Sequence, residues 1–115
     1  MSSSEIQYLD REDPKAFLPR VKLLRGFADQ SRLAILQALR NGPLSVGEIV
    51  EATHLSQPNA SNHLRCLSEC GLVVGEQHGR HVHYQLTDPR TARLLELLDE
   101  ILTSVAVGVK DCQNY

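Results

Sequence analysis

Between Leu55 and Val73, LSQPNASNHLRCLSECGLV, the apolar residues Ala60, Leu64 and Leu67 recur at the spacing that builds one buried face of a helix. Ser56 supplies a hydroxyl able to cap that helix, Pro58 fits a first turn where backbone N–H groups lack partners, and Gly71 ends it. At roughly 100° per residue, Ser61, Asn62 and Arg65 project from the side opposite the apolar face. Upstream, Ser45 to Thr53 carries Val46, Ile49 and Val50 at helical spacing behind the breaker pair Gly42-Pro43, and His54-Leu55-Ser56 forms a short turn. Two short helices joined by a tight turn, the second polar outward, predict a helix-turn-helix over 45–70. After Gly71 the period changes to alternation. Leu72 to Gln77 reads as a strand, His78-Gly79 as a turn and Arg80 to Leu86 as a second strand, with Val82, Tyr84 and Leu86 on one face and His81, His83 and Gln85 on the other. A hairpin over 72–86 that follows such a helix is a wing.

Two terminal helices are expected around this unit, one from about Pro14 to Phe27 interrupted by Pro19, the other over 88–107. Leu94, Leu95, Leu97, Leu98, Ile101, Leu102 and Val105 give the second more apolar surface than one side of a small domain needs, which points to a partner helix. The expected class is therefore α+β, mainly α, in a single domain spanning 1–115, with a loosely ordered arm over 1–12 and a polar tail over 108–115.

The motifs FADQSRLAILQAL, SQPNASNHLRCLSECGLV and GRHVHYQL together resemble the winged helix-turn-helix domain of the ArsR/SmtB family of metal-responsive repressors. That resemblance implies a homodimer paired through the terminal helices, holding double-stranded operator DNA and released when a ligand binds. On this reading the DNA contacts are Gln57, Asn59, Ser61, Asn62, His63 and Arg65 on the reading helix, with Arg80 and His81 of the wing steadying the phosphate backbone.

Charge gives this expectation no general support, because 12 Lys and Arg against 14 Asp and Glu leave a formal net charge of −2. Affinity for DNA has to come from local placement of Arg65, Arg80 and the helix N-terminus. The absence of tryptophan leaves no obvious platform for stacking single-stranded bases. No apolar run is long enough to span a membrane and the N-terminal residues lack a secretion pattern, so a cytoplasmic location is expected. In that compartment the three cysteines are expected to be thiols.

Cys66 and Cys70 lie one helical turn apart, close enough for one ion to bridge both sulfurs. They share a stripe with Asn59 and His63, roughly 80 to 120° from the apolar face. Small hydrophobes filling gaps are the plain alternative. Cys112 argues for chemistry, since it lies in the polar run VKDCQNY and is free to reach a pair on another element or another subunit. Three thiolates make a soft site, suited to cadmium, lead, zinc or copper(I) and poorly suited to magnesium or calcium. The CmtR-type cadmium- and lead-responsive branch is similar in this respect, and the resemblance carries over to Cys66, Cys70 and Cys112.

The cysteine-bearing motif of arsenic-type sensors is missing from SVGEIVEAT, and the last helix lacks the histidines of zinc-type sensors. His78, His81 and His83 could share a metal across the wing but more often serve as solvated side chains near phosphate, while His63 is open between ligand and DNA contact. The expected function is a soft-metal-responsive transcriptional repressor. A thiol-based redox or reactive-sulfur sensor of the same fold is the alternative. No nucleophile elbow, phosphate loop or paired-acid motif suggests an enzyme.

Overall fold

The computed structural model describes residues 14–111. A 3₁₀ turn, Pro14–Phe17, leads into α1, Leu18–Phe27; α2 is Gln30–Ala38 and is followed by a 3₁₀ turn, Leu39–Asn41. Then come β1, Leu44–Ser45; α3, Val46–Thr53; α4, Gln57–Glu69; β2, Val73–His78; β3, His81–Leu86; and α5, Arg90–Asp111. Pro19 does not interrupt the N-terminal helix as expected. It falls in the first turn of α1, where its missing N–H costs no helical hydrogen bond.

Two further boundaries differ from the sequence reading. The last helix begins at Arg90 and runs to Asp111, so residues 108–111, expected as tail, are helical. Asp88 sets its start by accepting from the Arg90 amide at 2.8 Å and from Arg90 Nη2 at 2.6 Å, and the Arg90 side chain holds the Asp88 carboxyl down at about 2. The wing turn is Gly79-Arg80, so Arg80 sits at its tip and not in the strand. The arm over 1–12 and Cys112 lie outside the described residues.

The two core-defining helices are capped by their own sequence. Ser45 and Glu48 form a capping box at the start of α3, and Ser56 Oγ accepts from the Asn59 amide at 3.3 Å at the start of α4. At the other end of α4, Gly71 adopts φ +81°, which lets Leu72 N–H reach Leu67 O at 2.9 Å and Gly71 N–H reach Ser68 O at 3.0 Å. Ala60, Leu64 and Leu67 of α4 are wholly buried, together with Ile35 and Leu36 of α2 and Ile49 of α3. Leu95 of α5 and Val73 of β2 join this core, and α4 is fixed against α2, α3 and the sheet.

The sheet is antiparallel in the order β1-β3-β2. Its hairpin pairs Val73 with Leu86 and His78 with His81, while β1 adds Leu44 opposite Tyr84 and Ser45 opposite His83. That short strand, absent from the sequence reading, ties the base of the wing to the first residue before α3.

His54, at the turn between α3 and α4, has φ +61°, a left-handed conformation that strains residues with a Cβ. His54→Gly is expected to raise stability by about 0.5 to 1 kcal/mol and His54→Val to lower it by about 1 to 2 kcal/mol. Thermal melts of the two variants check this, and a glycine variant that melts lower than wild type contradicts it.

Candidate nucleic-acid interface and thiol site

The buried stripe of α4 dictates what its other faces present. With Ala60, Leu64 and Leu67 turned inward, Gln57, Asn59, Ser61, Asn62 and Arg65 are all exposed. Arg65 Nη2 donates to Asn62 Oδ1 at 2.7 Å, which holds one guanidinium edge along the outer face. Asn and Arg side chains of this kind match adenine and guanine edges and phosphate oxygens.

His63 differs from the rest by being half-buried. Its charge, when protonated, acts on Asp29, whose carboxyl is held below the ordinary range first by the Arg32 amide and then by the neighbouring cations.

The wing delivers Arg80 and His81 to the start of α4. These two line one cleft with Gln57, Ser45 and Gly47, a space of about 350 Å³ between the wing tip and the N-termini of α3 and α4. Ser45 and Gly47 were not among the expected contacts. The signal was present in the sequence as the Ser45-x-x-Glu48 capping pattern, which marks a helix start and hence a set of free N–H groups. The remaining wing histidines turn toward each other, with the rings of His78 and His83 5.0 Å apart and His78 Nε2 3.6 Å from a Glu76 carboxylate oxygen.

On the flank of α4, Cys66 and Cys70 are both free and exposed. Partial desolvation, and then the nearby Cys66 sulfur one turn away, push the Cys70 thiol up from its ordinary value, against a weaker pull from Arg32. Neither sulfur is used in core packing, so the gap-filling alternative does not describe them.

The donor pair suits a soft ion, and its exposure leaves room for further ligands. Among the described residues no group of three or more His, Cys, Asp and Glu side chains gathers where it could hold a metal, so neither His63 nor the wing histidines complete such a set. A shallow recess of about 140 Å³ beside the thiols is lined by Lys22, Arg25, Gly26 and Arg32. This basic lining escaped the sequence reading, because the contacts join α1 and α2 to a helix far along the chain.

Two helices across a tight turn, an outward polar reading face and a hairpin that reaches the same side define a winged helix-turn-helix, a DNA-binding class. Residues 29–74 match the family described as bacterial regulatory protein, arsR family. The chain is similar to the HTH-type transcriptional regulator NmtR of Mycobacterium tuberculosis, 43% identical over 84 residues that cover 73% of this chain and 70% of that protein. Among solved structures it resembles the cadmium metal-sensor CMTR of Mycobacterium tuberculosis, at 44% identity and a TM-score of 0.60, covering 68% of this chain and 81% of that one. It also resembles reduced HlyU of Vibrio cholerae, at 36% identity and a TM-score of 0.69, covering 76% and 92%. The chain belongs to the ArsR family of transcriptional regulators, and it is not an enzyme.

Proposed function

We propose that this protein is a homodimeric repressor in the cytoplasm that holds operator DNA and releases it when Cys66, Cys70 and Cys112 take up a soft divalent ion, cadmium or lead, with zinc as a further candidate. The observation that carries the reading is the pair of free, exposed thiols one turn apart at the C-terminal end of the reading helix, Cys66 within it and Cys70 at its C-cap. That a relative is described as a cadmium metal-sensor supports the choice of ion.

Gln57, Asn59, Ser61, Asn62, His63 and Arg65 read the major groove. Arg80 and His81 steady the phosphate backbone across the cleft they share with Gln57. Dimerisation supplies the second reading helix. Leu98, Ile101, Leu102 and Val105 of α5 are between 41% and 57% exposed, and Leu18, Val21 and Leu24 add an apolar face on α1. Apolar surface of this extent is what a second copy would cover.

When bound, the ion supplies strong bonds to thiolates and a fixed distance between them. Cys66 and Cys70 then act as anchors on α4, and Cys112 as a tether from the far end of α5. Each thiol gives up its proton on binding. Because the Cys70 thiol is pushed up, it is protonated at neutral pH, and apparent affinity rises with pH by roughly tenfold per unit for each proton released.

Cadmium titrated into reduced full-length protein, with a fluorescent duplex from the DNA upstream of its own gene, tests the reading. A thiolate charge-transfer band that saturates in step with DNA release, and at lower cadmium as pH rises, is the expected result. DNA binding with neither band nor release discards the metal.

The placement of two free, exposed thiols one turn apart also supports a redox reading. Peroxide would take two electrons and two protons from the pair, leaving a disulfide and two waters. Release by peroxide that persists in excess chelator, and reverses with dithiol, would select it over the metal.

A further inference from the structure

The last turn of α1 is pinned against the end of the reading helix. Gly26 permits the close approach, since a Cβ there would stand 2.7 Å from Leu72 Cδ1, just beyond Cys70. Arg32 of α2 locks the same turn, with Nη2 donating to Arg25 O at 2.7 Å and Nε to Gly26 O at 3.1 Å. Two cations of α1, Lys22 and Arg25, are thereby held at the rim of the recess beside Cys66 and Cys70. They are one helical turn apart on one side of α1, and both are exposed.

Among the described residues neither Lys22 nor Arg25 has a carboxylate partner. Helix α1 carries Arg20, Lys22 and Arg25 and no acidic residue, in a chain whose formal net charge is −2. Positive charge is thus concentrated here against the balance of the molecule. The recess opens along the stripe of α4 that Cys66 and Cys70 share with Asn59 and His63. From His63 to Cys70 the helix rises by about 10 Å. The major groove is about 12 Å wide, so a helix that turns Asn59 and His63 to base edges meets a phosphate strand near the rim where Lys22 and Arg25 stand. At the opposite end of α4, the wing brings Arg80 and His81 to Gln57.

We infer that Lys22 and Arg25 form a second phosphate-binding edge, which grips the strand of the operator duplex that borders the C-terminal end of α4. This rests on the DNA-reading role of α4 given above. The ligand is the phosphodiester backbone of double-stranded DNA, whose condensed counterions are released as each cation takes a phosphate. Such contacts carry no base information, so the edge adds affinity on any sequence and leaves specificity to α4. Arg32 is the frame and not a contact, because its donors are spent on the carbonyls of α1.

The test titrates full-length reduced protein, without metal, into two fluorescent duplexes of equal length, one from upstream of its own gene and one of unrelated sequence. Affinity is measured at several salt concentrations between about 50 and 200 mM. The variants are Lys22→Gln with Arg25→Gln, the charge-keeping exchange Lys22→Arg with Arg25→Lys, and Arg93→Gln, which removes a cation of α5 that is paired with Glu96 and Glu100. Each phosphate contact contributes about 0.9 to the slope of log affinity against log salt. The glutamine pair should therefore flatten the slope by about 2 per subunit, or about 4 for a dimer on two half-sites. Its affinity should fall by the same factor on both duplexes. The charge-keeping exchange and Arg93→Gln should stay within about 0.5 of the wild-type slope.

A glutamine pair with the wild-type slope overturns the inference and leaves the reading role of α4 standing. Wild type that holds neither duplex removes that role, and the inference with it. A loss confined to the upstream duplex would make the two residues base readers, and a glutamine pair that sediments as a monomer where wild type is a dimer would assign them to the subunit interface. Either result also overturns the inference.

Discussion

Replacing Cys66 and Cys70 together by serine is expected to leave operator affinity within about 3-fold of wild type and to bring the ratio of affinities without and with cadmium from between about 5 and 150 to about 1. The expectation follows from where the two side chains stand. Both are exposed on the flank of α4, neither belongs to the buried core, and neither lies on the face that carries Ser61, Asn62 and Arg65. Serine is close in size and remains compatible with a helix end, so the change in folding stability should stay within about 0.5 kcal/mol, as for other surface substitutions. Fluorescence anisotropy with the upstream duplex, with and without cadmium, measures both quantities. A double variant that no longer binds DNA would make the cysteines structural; one that still responds to cadmium would place the ion elsewhere.

Leu64→Ala should have the opposite profile, with large loss of stability from a residue only two positions from Cys66. Leu64 is wholly buried and packs with Ile35, Leu36, Ile49 and Leu67 in the common core. Truncation removes its burial and leaves a cavity where α2, α3 and α4 meet, at a cost of about 2 to 5 kcal/mol. Against a net stability of about 5 to 15 kcal/mol, this places a sizeable unfolded fraction within reach of mild heating. Urea unfolding measures the difference, with Ser61→Ala on the same helix as the control expected within about 0.5 kcal/mol. A loss below about 1 kcal/mol for Leu64→Ala would mean that the core collapses around the gap.

The contrast between these residues explains what could be read from the chain in advance. Periodicity is a local property, so the trio Ala60, Leu64 and Leu67, the stop at Gly71 and the alternation through Val82, Tyr84 and Leu86 all show in the order of residues. The same angular reasoning places Cys66 and Cys70 beside the core and Ser61, Asn62 and Arg65 away from it, which is where they stand. Strand β1 escaped because two residues, Leu44 and Ser45, are too few to show a period and owe their pairing to Tyr84 and His83. Pro19 misled because proline disfavours a helix interior but suits a helix start, and the chain before it carries no marker of where α1 begins.

The surroundings of the thiols were illegible for a different reason. Lys22, Arg25 and Arg32 reach Cys66 and Cys70 only through the packing of α1 and α2 against α4, and no spacing rule encodes a contact between distant segments. Gln57 meeting Arg80 and His81 is of the same kind, since the hairpin register decides which residue sits at the tip.

The angular separation of the faces of α4 has an engineering consequence. The part of a promoter address written in Ser61 and Arg65 and a trigger written in Cys66 and Cys70 occupy different sides of one rigid rod, anchored by a third side that neither needs to touch, whereas Asn59 and His63 share the cysteine stripe. Each inscription can be rewritten while the other is kept. A set of reporters that answer to one ion at several promoters, or to several ions at one promoter, would therefore require changes to this helix, its C-cap Cys70 and the residues after α5, with the rest of the scaffold untouched.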